Sequence, residues 1–145
     1  MIIIGELINS TRKDIKKAIE DEDVAYIQDI AKKQEAAGAD YIDVNAGMRL
    51  HDEIEKLCWL VKIVQEVVNV PLCIDSPNPK AIDAALKIHK GQALVNSITM
   101  EKERYDELLP IIVKNNTRII ALCMDETGMP KTAEQRINVA KKLAG

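Results

Sequence analysis

Short apolar runs alternate along this chain with longer segments of helical periodicity, and this alternation constrains the fold more than any other feature. The apolar runs read as five strands, at residues 1–4, 39–46, 70–75, 92–98 and 118–124. Strands that alternate with helices in this way are usually parallel and covered on both faces. The sequence therefore predicts an α/β domain built from about five parallel βα units.

The segments between the apolar runs have the signatures of helices. We expect these helices at 11–20, 22–37, 51–68, 79–89, 101–115 and from Thr132 to about Leu143. Apolar residues repeat at helical spacing through 51–68, and Thr132 with Gln135 three residues later forms a capping-box start. Pro110 lies inside the segment 101–115, so we expect that helix to be kinked or split.

One domain spanning 1–145 accommodates all of these elements, and no linker or low-complexity segment separates a second domain. Two architectures fit the pattern. An open doubly wound sheet is complete at five strands, whereas an eight-stranded βα barrel needs about 250 residues. For the barrel, the chain supplies about five of the eight βα units.

The composition excludes several classes of function. Hydrophobic residues make up 47% of the chain and charged residues 30%, and the net charge is −3, without a basic block that would suit nucleic acid. No apolar run approaches the roughly 18–20 residues of a membrane-spanning helix. Cys58, Cys73 and Cys123 form no CxxC pair and lie in apolar runs, which predicts reduced, buried thiols and a cytoplasmic protein.

Every predicted strand delivers a carboxylate or carboxamide near its C-terminal end. The set consists of Glu6, Asn9, Asp43, Asn45, Asp75, Asn96 and Asp125, with Ser97 beside Asn96. Asp43 and Asn45 share parity along their strand and so point to the same side. In parallel α/β folds the C-terminal ends of the strands carry the functional site, so we expect these side chains to surround one cavity.

A purely structural interpretation competes for each of these residues, because an Asp or Asn at a strand end often caps a helix or holds a turn. For Asp125 and Ser97 this interpretation carries as much weight as a binding role. Asp75 could open an Asx turn into the Pro-rich loop that follows it. Asn96 lies within its strand, where a turn role is less natural. The set as a whole favours a ring of hydrogen-bonding groups.

The chemistry of the ring indicates the kind of ligand. A phosphate site would need Gly-rich loops and basic groups, and a metal site would need clustered histidines beside the carboxylates. His51 falls at a predicted helix start and His89 on a helix, where a structural role is expected, so we assign no metal site. A neutral heterocycle fits best, because an Asp can accept two parallel N–H bonds from an amino-pyrimidine edge.

Five segments carry a resemblance to a known family. They are "IIIGELIN" at the start, "GADYIDVNAG" at 38–47, "PLCIDS" at 71–76, "ALVNSI" at 93–98 and "GMPKTAEQR" at 128–136. In this order they resemble the pterin-binding barrel methyltransferases, in particular methyltetrahydrofolate:corrinoid/iron–sulfur protein methyltransferase and relatives that act on other corrinoid proteins. The barrel module of cobalamin-dependent methionine synthase and dihydropteroate synthase are more distant relatives.

The resemblance implies the N-terminal portion of a TIM-type (β/α)8 barrel. It also implies methyl transfer between N5 of methyltetrahydrofolate and the cobalt of a corrinoid carried by a partner protein. By the resemblance, Asp75 hydrogen-bonds the amino-pyrimidine edge of the pterin and Asn96 contacts the pterin ring. Further candidates for lining the same cavity are Asn9, Asp43, Asn45 and Ser97. No residue is assigned to catalysis.

Members of this family form complete barrels, so we expect the chain to be inactive alone. Its unpaired edge strands should associate with another copy or with the missing half of the barrel. Two other functions stay open at this point. One is a dihydropteroate synthase-like pterin enzyme. The other is a doubly wound receiver or binding module, in which Asp75 and Lys131 would take the phospho-acceptor and lysine positions.

Overall fold

A computed structural model describes residues 1–48 and 51–145 of the chain, and over these residues five strands alternate with six helices. The strands are β1 Ile4–Asn9, β2 Tyr41–Asn45, β3 Leu72–Asp75, β4 Leu94–Ile98 and β5 Arg118–Ala121. The helices are α1 Lys13–Glu20, α2 Val24–Ala36, α3 Glu53–Gln65, α4 Pro79–Ile88, α5 Lys102–Asn115 and α6 Ala133–Ala144. The predicted alternation is confirmed, although β2 to β5 are shorter than the apolar runs that suggested them.

The strands form one sheet in which every neighbouring pair is parallel and the spatial order follows the chain, β1-β2-β3-β4-β5. A doubly wound sheet needs a point where the strand order reverses, so sequential order excludes that architecture. Sequential parallel order is what consecutive units of a βα barrel produce. The structure therefore confirms five βα units of a partial barrel.

The sheet has two different faces. On the outer face, strand residues pack with residues from every helix into the main apolar core; these strand residues include Ile42, Val44, Leu72, Ile74 and Val95. On the inner face, a smaller apolar cluster is formed by strand residues alone: Tyr41, Cys73 and Leu94, with Ile4 and Ile120 packed against them. Because side chains alternate along a strand, each strand divides its residues between these two faces.

The first strand starts later than predicted. The apolar run at 1–4 suggested a strand, but β1 spans Ile4–Asn9, and Met1, Ile2 and Ile3 are exposed. Pairing begins where Ile4 meets β2, so apolar character alone misplaced the strand. Glu6, predicted to follow the strand, lies within it, and Asn9 is its last residue.

A β-bulge interrupts β1 between Gly5 and Ile8, so this segment contains one residue more than the segment of β2 opposite it. Gln34 of α2 holds the bulge, because its side-chain oxygen accepts a hydrogen bond from the Leu7 N–H at 2.9 Å. A Cβ on Gly5 would lie 2.6 Å from the same oxygen, so a larger residue would displace Gln34. The extra residue reverses the alternation of side chains, so Ile8 joins the outer core and Asn9 reaches the inner face.

The helix termini follow their sequence signals. The Gln135 N–H donates to Thr132 Oγ1 at 3.2 Å, and the predicted capping box of α6 is confirmed. Pro110 does not split α5, which is one helix from Lys102 to Asn115. Leu108 and Ile112 are buried on either side of the proline, and this packing holds the helix together where one backbone hydrogen bond is missing.

Over the described residues, no helix combines the length and the apolar character needed to cross a bilayer. The cysteines are free thiols, of which Cys73 is buried while Cys58 and Cys123 are only half-buried. The prediction of buried thiols is therefore correct for Cys73 alone. Cys123 is less covered because it follows the end of β5, where the chain leaves the sheet.

His89 joins the start of β3 to the turn before β4. Its Nε2 accepts a hydrogen bond from the Leu72 N–H at 3.1 Å, and its Nδ1 contacts the Gly91 carbonyl at 3.2 Å. An acceptor at Nε2 requires the proton on Nδ1, so both contacts belong to the neutral imidazole. Burial lowers the pKa of His89 from its usual 6.5. The residue has the structural role that its helical position predicted.

This arrangement predicts a pH-dependent stability. The pKa of His89 is lower in the folded chain than in the unfolded chain, so its contribution is complete above about pH 6.5 and is lost as the pH falls through the folded pKa. Urea unfolding between about pH 7 and pH 5 should show a smaller loss of unfolding free energy in His89→Gln than in the wild type. Identical pH dependence of the unfolding free energy in His89→Gln and in the wild type would contradict the assignment.

Candidate functional site

Four polar residues form a single row across the inner face. Asn9 of β1 is in register with Asn45 of β2, Asn45 with Asp75 of β3, and Asp75 with Asn96 of β4. Residues in register on adjacent strands project to the same face about 4.8 Å apart. The structure therefore brings together four of the residues predicted to line one cavity. We refer to Asn9, Asn45, Asp75 and Asn96 as the polar row.

Asn45 is the fixed centre of the polar row. Its side-chain oxygen accepts hydrogen bonds from Ser10 Oγ at 3.1 Å and from the Gly47 N–H at 2.8 Å. Both donors orient the amide so that Nδ2 points the other way and donates to Asp75 Oδ2 at 2.8 Å. The carboxylate of Asp75 is thus held by a neighbour whose own orientation is determined by two further bonds.

Asp43 lies one layer below the polar row, in register with Cys73. The carboxyl group is 1% exposed, Asn96 Nδ2 donates to its Oδ2 at 3.2 Å, and its Oδ1 is buried without a hydrogen-bond partner among the described residues. Burial raises the pKa of Asp43 to about 7; the hydrogen bonds from Asn96 and from the Cys73 thiol oppose this, and the negative charges of Asp75 and Glu6 add to it. Near neutral pH this carboxyl group can therefore act as a donor or as an acceptor.

Asp75 has a different electrostatic environment. Burial again raises its pKa, but the hydrogen bond from Asn45 and the positive charge of Arg104 both act in the opposite direction. Arg104 lies on the first turn of α5 and contacts the loop that follows β3 and the C-terminal end of β4. This arginine was not predicted from the sequence, because its position on a helix gives no sign that it reaches two strand ends.

The loop after Asp75 is held rigidly by buried polar groups. Ser76 Oγ donates to Glu53 Oε1 at 2.5 Å and accepts from the Asn78 N–H at 3.0 Å. Asn78 in turn caps α4, accepting from the Lys80 N–H at 3.0 Å. The carboxylate of Asp75 therefore lies directly before a turn that Ser76 and Asn78 hold in place. An Asx turn formed by Asp75 itself does not stabilise this turn.

Three of the predicted residues, among them Asn9 at the end of the polar row, lie at the margins of the site. Ser97 is the extra residue of a bulge in β4, between Asn96 and Ile98, so it is not in register with the polar row. Asn9 Oδ1 accepts from the Thr11 N–H at 3.0 Å, which occupies its oxygen in a turn. For Asp125 the turn interpretation is correct.

Asp125 Oδ1 accepts from the Thr127 N–H at 3.0 Å and from Thr127 Oγ1 at 2.7 Å. These bonds lower its pKa, and a single bridge between Asp125 and Gly128 closes the turn. Its carboxylate therefore belongs to the loop after β5 rather than to the polar row.

The contrast between Asp43 and Asp125 gives a direct test of the site's electrostatics. A carbon-13 NMR titration of the side-chain carboxyls should find Asp43 titrating near pH 7 and Asp125 below 3.8. Asn96→Ala removes the donor to Asp43 Oδ2 and should raise the pKa of Asp43 further, while leaving Asp125 unchanged. An Asp43 that titrates in the ordinary carboxylate range would contradict the buried geometry.

Solved structures with this fold include two dihydropteroate synthases. The enzyme from Thermus thermophilus superimposes with a TM-score of 0.55 at 21% identity, over 80% of this chain and 40% of that chain. The 7,8-dihydropteroate synthase from Vibrio fischeri superimposes with a TM-score of 0.58 at 16% identity, over 98% of this chain and 56% of that chain. At these identities the likeness concerns the fold alone.

Sequence relatives extend over the whole chain. A methylcorrinoid:tetrahydrofolate methyltransferase from Eubacterium limosum is 43% identical over 145 residues, which are 99% of this chain and 54% of that protein. A methionine synthase from Mycobacterium tuberculosis is 25% identical over 149 residues, 99% of this chain and 12% of that protein. The chain thus spans about half the length of the first relative and a small part of the second.

A family model matches nearly the whole chain. The model described as pterin binding enzyme matches residues 5–144, which include all five strands except the first residue of β1. The match contains the whole polar row, together with Asp43 and Arg104. The chain belongs to the family of pterin-binding enzymes.

Proposed function

We propose that this chain forms the pterin-binding part of a methyltransferase. The enzyme would transfer the N5 methyl group of methyltetrahydrofolate to the cobalt of a corrinoid carried by a partner protein, or take it from that cobalt. The observation that carries the proposal is the polar row, in which Asn45 holds the carboxylate of Asp75. The 43% identity to a methylcorrinoid:tetrahydrofolate methyltransferase supports this choice of reaction within the family.

The polar row suits the edge of a pterin. A carboxylate can accept two parallel N–H bonds from an amino-pyrimidine, and Asp75 is the charged member of the row. The positive charge of Arg104 and the bond from Asn45 favour its ionised form despite burial. Asn96, its neighbour in register, can donate and accept, so it would suit the mixed donors and acceptors of the ring.

Asp43 would assist the difficult step of the reaction, in which the methyl group departs from N5. The N5 nitrogen is a poor leaving group and needs a proton or a strong hydrogen bond as the methyl group departs. Asp43 has a pKa of about 7, and Asn96 links it to the polar row at 3.2 Å. In its protonated form it would donate to an acceptor atom of the ligand, and its Oδ1 has no competing partner among the described residues.

A dihydropteroate synthase-like activity is the second candidate, favoured by the fold shared with two such enzymes. Such an enzyme would use the same pterin site without a corrinoid partner. Methyl transfer to free cob(I)alamin by the chain combined with a polypeptide that carries the later βα units, followed by the absorbance of the cobalt, separates the two candidates. Formation of methylcobalamin from methyltetrahydrofolate would support the methyltransferase, and its absence in a protein that binds the pterin would favour the alternative.

We also propose that the sheet requires a partner. Over the described residues, β1 and β5 each pair along one edge only, and Ile3 and Leu122 beside these edges are exposed. Exposed strand edges of this kind can pair with further strands through their free backbone N–H and C=O groups. A second copy of the chain, or the remaining βα units of a barrel, would cover the edges and the inner face, and without them the chain would be inactive.

The pterin site is tested by calorimetric titration with methyltetrahydrofolate. Asp75→Asn keeps the size of the side chain but removes its charge, so the affinity should fall about 10- to 100-fold, the range of a lost charge-assisted hydrogen bond. Asn96→Ala should weaken binding in the same direction. Asp125→Asn is the matched control and should bind as the wild type does; equal affinity of Asp75→Asn and wild type would contradict the assignment.

The association is tested by sedimentation equilibrium of the purified chain. We expect a mass above that of one chain, or a monomer that melts without cooperativity, because the unpaired edges expose backbone donors and acceptors. Mixing the chain with a polypeptide that carries the later βα units should yield one complex with a sharp melt. A monomer that melts sharply on its own would contradict the need for a partner.

A further inference from the structure

We propose that Arg104 is a positioning residue for the pterin site: its guanidinium group binds the backbone carbonyls that directly follow Asp75 and Asn96, and so fixes these two side chains relative to each other. The identity of the ligand rests on the proposed function above. The role of Arg104 in joining the ends of β3 and β4 rests on the contacts of Arg104 alone. Arg104 would not touch the pterin, and would act only through the two strand ends.

The contacts of Arg104 use every nitrogen of the guanidinium group. Nη2 donates to the Ser76 carbonyl at 3.1 Å and to the Ser97 carbonyl at 3.0 Å. Nε donates to the Ser97 carbonyl at 3.3 Å, and Nη1 donates to the Pro77 carbonyl at 3.1 Å. One side chain of α5 therefore joins the loop after β3 to the end of β4.

The position of these carbonyls makes the contact relevant to the site. Ser76 directly follows Asp75, and Ser97 directly follows Asn96. Asp75 and Asn96 are in register across β3 and β4, so the arginine binds the two strands immediately beyond the last pair of the polar row. A displacement of the backbone at Ser76 or at Ser97 would change the separation of the Asp75 and Asn96 side chains that face the ligand.

The bulge in β4 explains why an arginine is needed. Ser97 is the additional residue of that bulge, and a bulged residue leaves the regular ladder of backbone hydrogen bonds. Its carbonyl instead accepts two bonds from Arg104. A planar guanidinium group presents several donors in a fixed arrangement, which a lysine ammonium cannot reproduce.

The charge of Arg104 acts on the same site. It is half-buried and faces Asp75 from one side and Glu101 and Glu107 from its own helix region. Asp75 in turn faces Asn45 and lies near Asp43. Arg104 opposes the effect of burial on Asp75, so the cation both holds the loops and favours the charged form of the carboxylate.

The test uses the full chain with two substitutions. Arg104→Gln removes the charge and the planar guanidinium group, and Arg104→Lys keeps the charge but removes the planar group. In the ligand-free protein, carbon-13 NMR should show a higher pKa for Asp75 in Arg104→Gln and a value nearer the wild type in Arg104→Lys. Affinity for methyltetrahydrofolate should fall about tenfold in both variants, because neither can bind all three carbonyls. Arg136→Gln is the matched control, since exposed Arg136 contacts only the Pro130 carbonyl at 3.5 Å among the described residues.

The outcomes separate this inference from the proposed function. A wild type that binds no methyltetrahydrofolate overturns the function, while the NMR titration still tests the effect of Arg104 on Asp75. Normal affinity and a normal Asp75 pKa in Arg104→Gln overturn the inference, as does a variant that loses thermal stability alone. If Arg104→Gln does not fold, the affinity of Arg104→Lys for methyltetrahydrofolate tests the inference instead. Wild-type affinity in that variant overturns the role of the planar guanidinium group.

Discussion

The hydrogen bond from Asn45 to Asp75 joins the ends of β2 and β3 at 2.8 Å, and the rest of the site is arranged around it. Parallel pairing sets these residues side by side, and the same register extends the polar row to Asn9 and Asn96. The helices cannot reach this face, because they cover the opposite side of the sheet. The position of the site thus follows from the strand pairing, and the loops only refine it.

Two buried carboxyl groups share this face, and their surroundings give them different properties. Both accept a hydrogen bond from an amide, but Asp75 lies near the cation of Arg104, whereas Asp43 lies near the negative charges of Asp75 and Glu6. Burial favours the neutral form of both, and only Asp75 receives compensation from a positive charge. A pair of carboxyl groups separated in this way can hold one charge and one proton in the same cavity.

The sequence predicted the polar row because two simple rules combine: side chains alternate along a strand, and parallel strands end at the same edge. Asp43, Asn45, Asp75 and Asn96 could be assigned from these rules alone. The start of β1 could not, because the exposed residues before Ile4 are as apolar as a buried strand. Arg104 could not either, since its contacts join segments that are far apart in the chain until the sheet has formed.

The bulge in β1 has a consequence for how this protein can change in evolution. Gln34 holds a bulge in which two residues of β1 lie opposite one residue of β2, while Ile8 and Asn9 keep Val44 and Asn45 as their partners. Deleting one of these two residues would remove the bulge and leave Ile8 on the outer face and Asn9 in the polar row, whereas pairing both of them regularly with β2 would exchange the faces of the residues that follow. The bulge therefore lets β1 carry an additional residue without moving Asn9 out of the polar row, and related chains can differ here by the loss of one residue while keeping the site.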